Sequence, residues 1–356
     1  MAPAAVVELP TYRVVIEPGA TTRIASLVDE AAPAHRIAVI TDSTVEPLYA
    51  RRIVAALGDR ARLFTIPAGE AAKTRDTWSS ITDAMLAGGF ARDTTVVAVG
   101  GGVVGDLAGF VAATYMRGVP FVQVPTTLLA MIDASVGGKT GVDTAAGKNL
   151  VGAFHQPALV VADPRTLATL PANHFRAGLA EALKHGVIAD ATYFARIAEA
   201  RESTARDDAT LTDLVAESVR IKASVVARDE RESGIRKVLN FGHTLGHAIE
   251  TVSNYRLLHG EAVAIGMVLE GTLAERIGLA ESGTAGAIRD ALDAIGLPTN
   301  LPPLDRDRIL AATKSDKKSR AGRVEYALPL RIGGMAGEQN GWATPVDEAN
   351  VAAVLE

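Results

Sequence analysis

The sequence predicts two domains of different class: an α/β domain built on a parallel sheet, then an all-helical domain, with the active site in the cleft between them. Three observations carry that expectation. The chain has 356 residues, more than the ~250–300 at which a single core usually stops growing. Its first half alternates short β-branched runs with helical patterns. After Asp163 nearly every segment has helical spacing.

Taken in order, "RIAVIT" (36–41), "RLFTIP" (62–67), "TTVVAVG" (94–100), "PFVQVP" (120–125) and "ALVVAD" (158–163) read as strands. They are apolar at successive positions rather than alternate ones, which marks strands buried on both faces of a parallel sheet. Between them lie amphipathic stretches such as "TRDTWSSITDAMLAGG" (74–89), whose apolar spacing is helical. The second half offers helices at 174–188, 191–202, 209–228, 238–252, 259–277 and 284–295, then a loop, a helix and a hairpin between 296 and 335. The expected division is 1–165 and 166–356, without a flexible linker, so the domains should pack closely.

Composition limits the function. The chain is 48% hydrophobic and 22% charged, with mean hydropathy +0.18, as in a globular protein with a large core. Its net charge is −5, so no global basic field draws nucleic acid or an anionic membrane. Any cationic site must be local. The absence of cysteine excludes disulfides and thiolate metal sites and fits a reducing compartment. The first twenty residues lack a basic n-region and a sustained apolar core, and no apolar run approaches the ~20 residues that span a bilayer. A soluble cytoplasmic protein is expected.

"VVAVGGGVVGDLAGFVAA" runs from a strand straight into a helix. Gly100, Gly102 and Gly105 satisfy G-x-G-x-x-G, and the free N–H groups at the following helix N-terminus favour a pyrophosphate. This is a Rossmann-like signal, though such turns also serve to pack a helix on a strand. No acidic residue closes the next strand, which ends "FVQVPTT", so an ordinary ribose-binding position is missing. "TDST" (41–44) and "AGEAAKT" (68–74) follow the two earlier strands. Asp42 there could accept ribose hydroxyls and Lys73 could meet phosphate. The bland alternatives are a helix cap and a solvated lysine.

Three of the seven histidines fall within "NFGHTLGHAIETVSNYRLLHGEAVAIGM", at 243, 247 and 259. His243 and His247 share a helix face. A divalent metal in a site of this kind usually also takes a carboxylate, and Glu181 in "GLAEALKHGVI" is acidic within an apolar helical stretch. Glu181 with two histidines would leave open positions, suited to polarising a hydroxyl or carbonyl oxygen. Spacing does not say which two histidines bind, and the third imidazole could serve as acid or base. Arg117, Lys139, Lys148, Lys184, Lys222, Arg236 and the Lys317/Lys318 pair sit in apolar or glycine-rich surroundings. In an acidic protein that convergence implies a small anionic substrate carrying phosphate or carboxylate. Asp133 and Asn149 lie near the same loops.

"GGGVVGDLAGFVAATYMRG", "VPTTLLAMIDASVGGKTGVD", "GKNLVGAFHQP", "GLAEALKHG", "DERESGIRKVLNFGHTLGHAIE" and "LHGEAVAIGM" resemble, in order and spacing, the successive motifs of the 3-dehydroquinate synthases, within the sugar phosphate cyclases. The resemblance covers most of the chain and is weakest before residue 35 and after 320. It implies cyclisation of 3-deoxy-D-arabino-heptulosonate 7-phosphate to 3-dehydroquinate and phosphate with NAD⁺ and zinc or cobalt, in a homodimer. It implies Glu181, His243 and His259 as metal ligands, with His247 near the leaving phosphate. For NAD⁺ it implies Gly69, Glu70 and Lys73, the turn Gly102, Val103, Val104, Gly105 and Asp106, then Thr126, Thr127, Lys139 and Lys148, and the stretch holding Thr166, Leu167 and Thr169. For substrate it implies Arg117, Asp133, Asn149, Lys184, Lys222, Arg236, Asn240 and Lys317 or its neighbour Lys318. The departures are mild: His185 where tyrosine is also common, and "GVDTAAGKN" where "NHPLGKN" is frequent.

Two other classes are weaker. A metal-dependent polyol or glycerol phosphate dehydrogenase shares the two-domain plan but needs no cage of cations such as "GGKTG", "GKN" and the Arg236 segment provide. A nucleotide-binding regulatory protein has no reason to keep the metal-ligand set. Among the cyclases, Arg236, Leu239, Asn240 and His247 favour dehydroquinate synthase.

Overall fold

The structure, a computed structural model, describes residues 4–199, 207–315, 319–320, 323–337, 339 and 341–356. Lys317 and Lys318 lie outside these described residues. The chain divides into two compact units: Met1–Leu170 with Arg206–Ala223, and Pro171–Ala205 with Ser224–Glu356. Among the described residues no helix is long and apolar enough to cross a membrane.

The first unit holds strands β1 (Ala5–Glu8), β2 (Arg13–Ile16), β3 (Arg36–Asp42), β4 (Ala61–Ile66), β5 (Thr94–Gly100), β6 (Phe121–Pro125), β7 (Lys139–Thr144), β8 (Gly147–Phe154) and β9 (Leu159–Ala162). Its helices are α1 (Ile24–Ala31), α2 (Arg51–Leu57), α3 (Arg75–Ala87) and α4 (Gly102–Thr114). Seven strands form one sheet in the order β1-β2-β9-β6-β5-β3-β4. It is parallel throughout except for the antiparallel β1 edge. The five strands expected from apolar runs are β3, β4, β5, β6 and β9, but β4, at the sheet edge, leaves Arg62 and Thr65 exposed and so is not buried on both faces as expected. Their pattern has a direct cause in packing: Val96 and Ala98 join the core under α3 and α4, while Val97 and Val99 join the core under α1 and α2. Both faces of β5 are covered, so every residue of it is apolar or small.

Two hairpins escaped the sequence reading. β1 and β2 are short, and the β7–β8 pair is rich in glycine and polar residues with a register shift between Val142 and Thr144. The second hairpin has consequences for the site, because Lys139 opens β7 and Lys148 and Asn149 lie on β8.

The second unit contains α5 (Ala172–Ala189), α6 (Ala191–Glu199), α8 (His243–Val252), α9 (His259–Arg276), α10 (Thr284–Ala294), α11 (Arg306–Ser315) and α12 (Glu348–Val354). Helix α7 (Asp208–Arg228) begins in the first unit and ends in the second. The unit is not wholly helical, since five short strands from β10 (Ser319–Arg320) through β11 (Arg323–Tyr326), β12 (Pro329–Arg331) and β13 (Gly334–Met335) to β14 (Thr344–Pro345) form small antiparallel sheets. Of these, β10 to β13 lie within 296–335, where the sequence suggests a hairpin, and β14 lies beyond it.

The helix expected over 238–252 is divided. A 3-10 turn, Ile235–Asn240, ends before Gly242, which adopts a left-handed conformation (φ 77°), and α8 starts at His243. Apolar periodicity continues across the break and therefore hides it. Helix α9 presses on this point: a Cβ at Gly266 would stand 2.0 Å from the Gly242 carbonyl oxygen. Buried Glu270 of α9 accepts the N–H groups of Gly242 (2.7 Å) and Leu245 (3.0 Å), two of the donors that a helix start leaves unpaired. Gly266→Ala should therefore force α8 and α9 apart. A loss of about 1–3 kcal/mol in urea unfolding is expected, as for other overpacked cores.

Candidate active site

In the second unit the site is built on α5. Residues 177–188 of this helix are buried all round, so a charged side chain there must meet a partner rather than water. Glu181 and Lys184 are each 1% exposed and pair one turn apart. The other carboxylate oxygen of Glu181 lies 3.3 Å from His243 Nε2 and 3.6 Å from His259 Nε2. Burial alone would raise the Glu181 pKa, but Lys184 and the histidines outweigh it and hold the carboxyl well below its ordinary range. It is ionised, yet neither oxygen makes a well-formed hydrogen bond.

The imidazoles are held from behind. His243 Nδ1 lies 3.1 Å from the Phe241 carbonyl, which accepts its proton and leaves Nε2 as the lone-pair side. Burial lowers the His243 pKa to about 3, so it is neutral, as a ligand must be. His259 Nδ1 faces Glu250 at 3.3 Å. Burial works against a charge there too, but the carboxylates of Glu181 and Glu250 prevail and raise its pKa to about 9. Two carboxylates thus favour positive charge at this point. His247 completes the cluster, with its ring 5.3 Å from His243 and 5.7 Å from His259, and ligand atoms of the three histidines lie within 4.8 Å of one another. An ionised, hydrogen-bond-poor carboxylate beside two Nε2 atoms is a donor set that fits a divalent zinc- or cobalt-like ion.

On the segment before α8, buried Arg236 donates from its guanidinium to the Glu230 carbonyl, and its backbone N–H donates to Asp229 (3.1 Å). Asn240 donates to Glu232 (2.5 Å), a residue at φ 60°.

In the first unit Asp42, Gly102 and the pair Thr126 and Thr127 stand at the C-terminal ends of β3, β5 and β6, the edge where parallel sheets bind ligands. Asp42 Oδ1 caps the following turn, accepting from Thr44 and Val45 (2.8 and 2.9 Å); the bland reading of that oxygen therefore holds. The bland reading of Lys73 does not. Lys73 is 3% exposed and lies 2.6 Å from Glu70, 3.3 Å from Asp106 and 3.7 Å from Asp143, with Lys148 4.0 Å from Glu70. Burial disfavours charge on Lys73, but Asp106 and Glu70 more than restore it and raise its pKa. Burial pushes Asp106 up to about 6 against the pull of Lys73.

At the glycine turn, a Cβ at Gly105 would lie 2.8 Å from the Gln123 side-chain oxygen. That glycine serves close packing of α4 on β6. Val104 is fully buried in the core, whereas Gly102 and Val103 are only partly buried in the first turn of α4. Gly69 precedes the Glu70 turn with φ 101°. Tyr49 donates to the Thr166 carbonyl (2.8 Å) and meets the Thr169 hydroxyl (2.7 Å), while Leu167 is buried. Lys222 is 6% exposed and binds Asp133 through both its carboxylate (2.7 Å) and its carbonyl (2.6 Å). Asn149, at φ 53°, donates its N–H to Asp143 (2.8 Å). Arg117 has φ 69°.

Sequence reasoning missed Asp143, Glu232 and Glu250. Only the last left a signal: His243, His247 and Glu250 stand at i, i+4 and i+7, one face of a helix.

Two family models match in succession, the 3-dehydroquinate synthase N-terminal part over residues 63–177 and the C-terminal part over 178–319. The chain belongs to the 3-dehydroquinate synthase family. A 3-dehydroquinate synthase of Geobacter metallireducens is 50% identical over 307 residues, covering 84% of this chain and 85% of that protein. Among solved structures, a 2-epi-5-epi-valiolone synthase from Streptomyces hygroscopicus subsp. jinggangensis, with NAD⁺ and Zn²⁺ bound, superposes with TM-score 0.83 at 33% identity, covering 99% and 98% of the two chains. A 2-deoxy-scyllo-inosose synthase complexed with carbaglucose-6-phosphate, NAD⁺ and Co²⁺ gives TM-score 0.88 at 26% identity over 99% of both chains. The two solved cyclase structures thus share this fold over nearly the whole chain.

The Asp106 geometry carries a pH dependence with a definite sign. Its folded pKa is raised from the ordinary 3.8 to about 6, so its contribution to stability is present below about 4 and is lost as pH rises through about 6. Asp106→Asn removes this titration. Its thermal midpoint should gain on the wild type between pH 4.5 and 7.5; a constant difference across that range would contradict the assignment.

Proposed function

We propose that the protein is a 3-dehydroquinate synthase, a carbon–oxygen lyase that cyclises 3-deoxy-D-arabino-heptulosonate 7-phosphate to 3-dehydroquinate and phosphate. The observation that carries the reading is the ionised, fully buried Glu181 facing Nε2 of His243 and His259, in a chain 50% identical to a curated member of that family. Glu181, His243 and His259 would hold zinc or cobalt. Gly69 to Lys73, Gly102 to Asp106, Thr126, Thr127, Lys139, Lys148 and the Thr166 to Thr169 stretch would hold NAD⁺, with Asp42 on its ribose. When bound, the metal polarises a substrate oxygen, and NAD⁺ takes up a hydride and later returns it.

The chain's own residues supply charge and position. Lys184, Lys222, Arg236 and Arg117, with Lys317 or Lys318, neutralise the phosphate and carboxylate of the substrate, and Asp133, Asn149 and Asn240 orient its hydroxyls. Burial keeps Lys184 and Lys222 within their ion pairs, so their field is fixed before substrate arrives. His247 faces the departing phosphate. The phosphate helps remove the proton for its own elimination, a step that needs few protein bases. Ring opening and an intramolecular aldol closure complete the conversion, and because the hydride would be returned there is no net redox change. A homodimer and a cytoplasmic location belong to the same proposal, on the family resemblance and the cysteine-free composition.

The test supplies the heptulosonate phosphate with substoichiometric NAD⁺ and follows phosphate and dehydroquinate. Equal yields of the two, many per NAD⁺, are expected; another cyclic product would point to a neighbouring cyclase, and accumulation of NADH from a polyol would replace the reading with a dehydrogenase. In the same protein, His243→Ala should lose both zinc and turnover. His247→Ala should keep zinc while turnover falls by roughly 10²-fold or more, as for loss of a general acid–base group. Equal loss of zinc in both would show the ligand assignment to be wrong.

A further inference from the structure

Helices α8 and α9 each begin with a histidine of the candidate metal centre: His243 is the first residue of α8 and His259 the first of α9. Each helix also sends one buried carboxylate to the start of the other. Glu250, in the third turn of α8, meets His259 Nδ1 at 3.3 Å. Glu270 of α9 accepts the N–H groups of Gly242 and Leu245, which flank His243 and Thr244. Both carboxylates are in the interior, in stretches otherwise apolar, where a side chain without a polar task would be replaced by a hydrophobic one at no loss to packing.

The two contacts do different things to the two imidazoles. The His243 ring is already tied at Nδ1 to the Phe241 carbonyl, so what it needs is a fixed backbone, and Glu270 holds the turn it stands on. The backbone of His259 starts a regular helix, whose preceding Leu258 N–H is accepted by Glu261 (2.8 Å). What His259 needs is a fixed ring. Glu250 accepts from Nδ1, which in the neutral imidazole that binds a metal leaves the lone pair on Nε2, and aims that atom toward Glu181, 3.6 Å away.

We infer that Glu250 and Glu270 are positioning residues forming a reciprocal clasp between α8 and α9, which presents the Nε2 atoms of His259 and His243 to one metal ion. The inference rests on the metal-centre reading above. Glu250 governs metal affinity through a ring, and Glu270 through the helix start.

The experiment measures zinc affinity by chelator competition, visible absorption of the cobalt-loaded protein, and the thermal midpoint of the metal-free protein. The variants are Glu250→Ala, Glu250→Gln, Glu270→Ala and Glu270→Gln. Glu250→Ala should bind zinc 10–100-fold more weakly, the usual effect of losing a partner behind a ligand. Glu250→Gln can still accept from Nδ1 through its amide oxygen, so it should recover part of that loss. Both should shift the cobalt bands. Glu270→Ala should lower both the metal-free thermal midpoint and zinc affinity, with Glu270→Gln intermediate. Wild-type zinc affinity, within twofold, in Glu250→Ala would overturn the clasp, as would a lowered midpoint with unchanged affinity in Glu270→Ala. A wild-type protein that bound no zinc would instead overturn the metal-centre reading on which the clasp depends.

Discussion

Glu181 is a charge in a place where charge is expensive. A carboxylate 1% exposed costs several kcal/mol to ionise unless counter-charges stand around it, and the second unit is organised to provide them. Lys184 on the same helix supplies the first. The imidazoles of His243 and His259 come from elsewhere in the chain, which obliges the N-termini of α8 and α9 to converge on the middle of α5. Backbone must then approach backbone without intervening side chains. A Cβ at Gly260 would lie 2.1 Å from the Ala177 carbonyl of α5, and one at Gly266 would lie 2.0 Å from that of Gly242. The small residues of "LHGEAVAIGM" are thus a consequence of the charge they surround.

The first unit solves the mirror-image problem. There the buried charge is a lysine, Lys73, and the surrounding groups are the carboxylates Glu70, Asp106 and Asp143. Three acids around one base leave an excess of negative charge, and burial pushes both Asp106 and Asp143 upward against the pull of Lys73. Exposed ion pairs such as Lys314 with Glu348 are held loosely and contribute little. Networks with one fully buried member are different in kind, because the dry member cannot turn away to water. Lys73, Lys184 and Lys222 all have this character, and all three stand at positions the sequence marks as functional.

How much could be read from the sequence follows from which physical signals are local. Strands β3, β5, β6 and β9 were legible because both of their faces are buried, and the edge strand β4 from its β-branched and aromatic residues. The β7–β8 hairpin was not, because its glycines and polar residues obey no simple alternation. Glu181 stood out as an acid among apolar neighbours, and the histidines by their density. The break before α8 was hidden because Gly242 interrupts the backbone without interrupting the apolar pattern. Asp143 and Glu232 were hidden for another reason: an acidic residue beside polar neighbours reads as solvated, and only the fold shows what it touches. Resemblance to a family supplied the division of labour among the histidines, which spacing had left open.

Backbone strain points the same way as charge. Among the described residues, seven other than glycine have positive φ, and three of them are Arg117, Asn149 and Glu232. A residue with a side chain in this region costs of order 1 kcal/mol or more and persists only where its surroundings over-determine it. For Asn149 the determining contact is visible: Asp143 accepts its N–H, and Asp143 is itself 3.7 Å from Lys73. For Glu232 it is the bond from Asn240. The strain at Asn149 is therefore tied to an ion network, and that at Glu232 to a side-chain hydrogen bond. Relieving it at Asn149 would leave the carboxylate of Asp143 without one of its donors, and relieving it at Glu232 would free the side chain of Asn240. In the first unit the unfavourable backbone geometry at Asn149 and the buried charge of Lys73 thus meet at one carboxylate, Asp143.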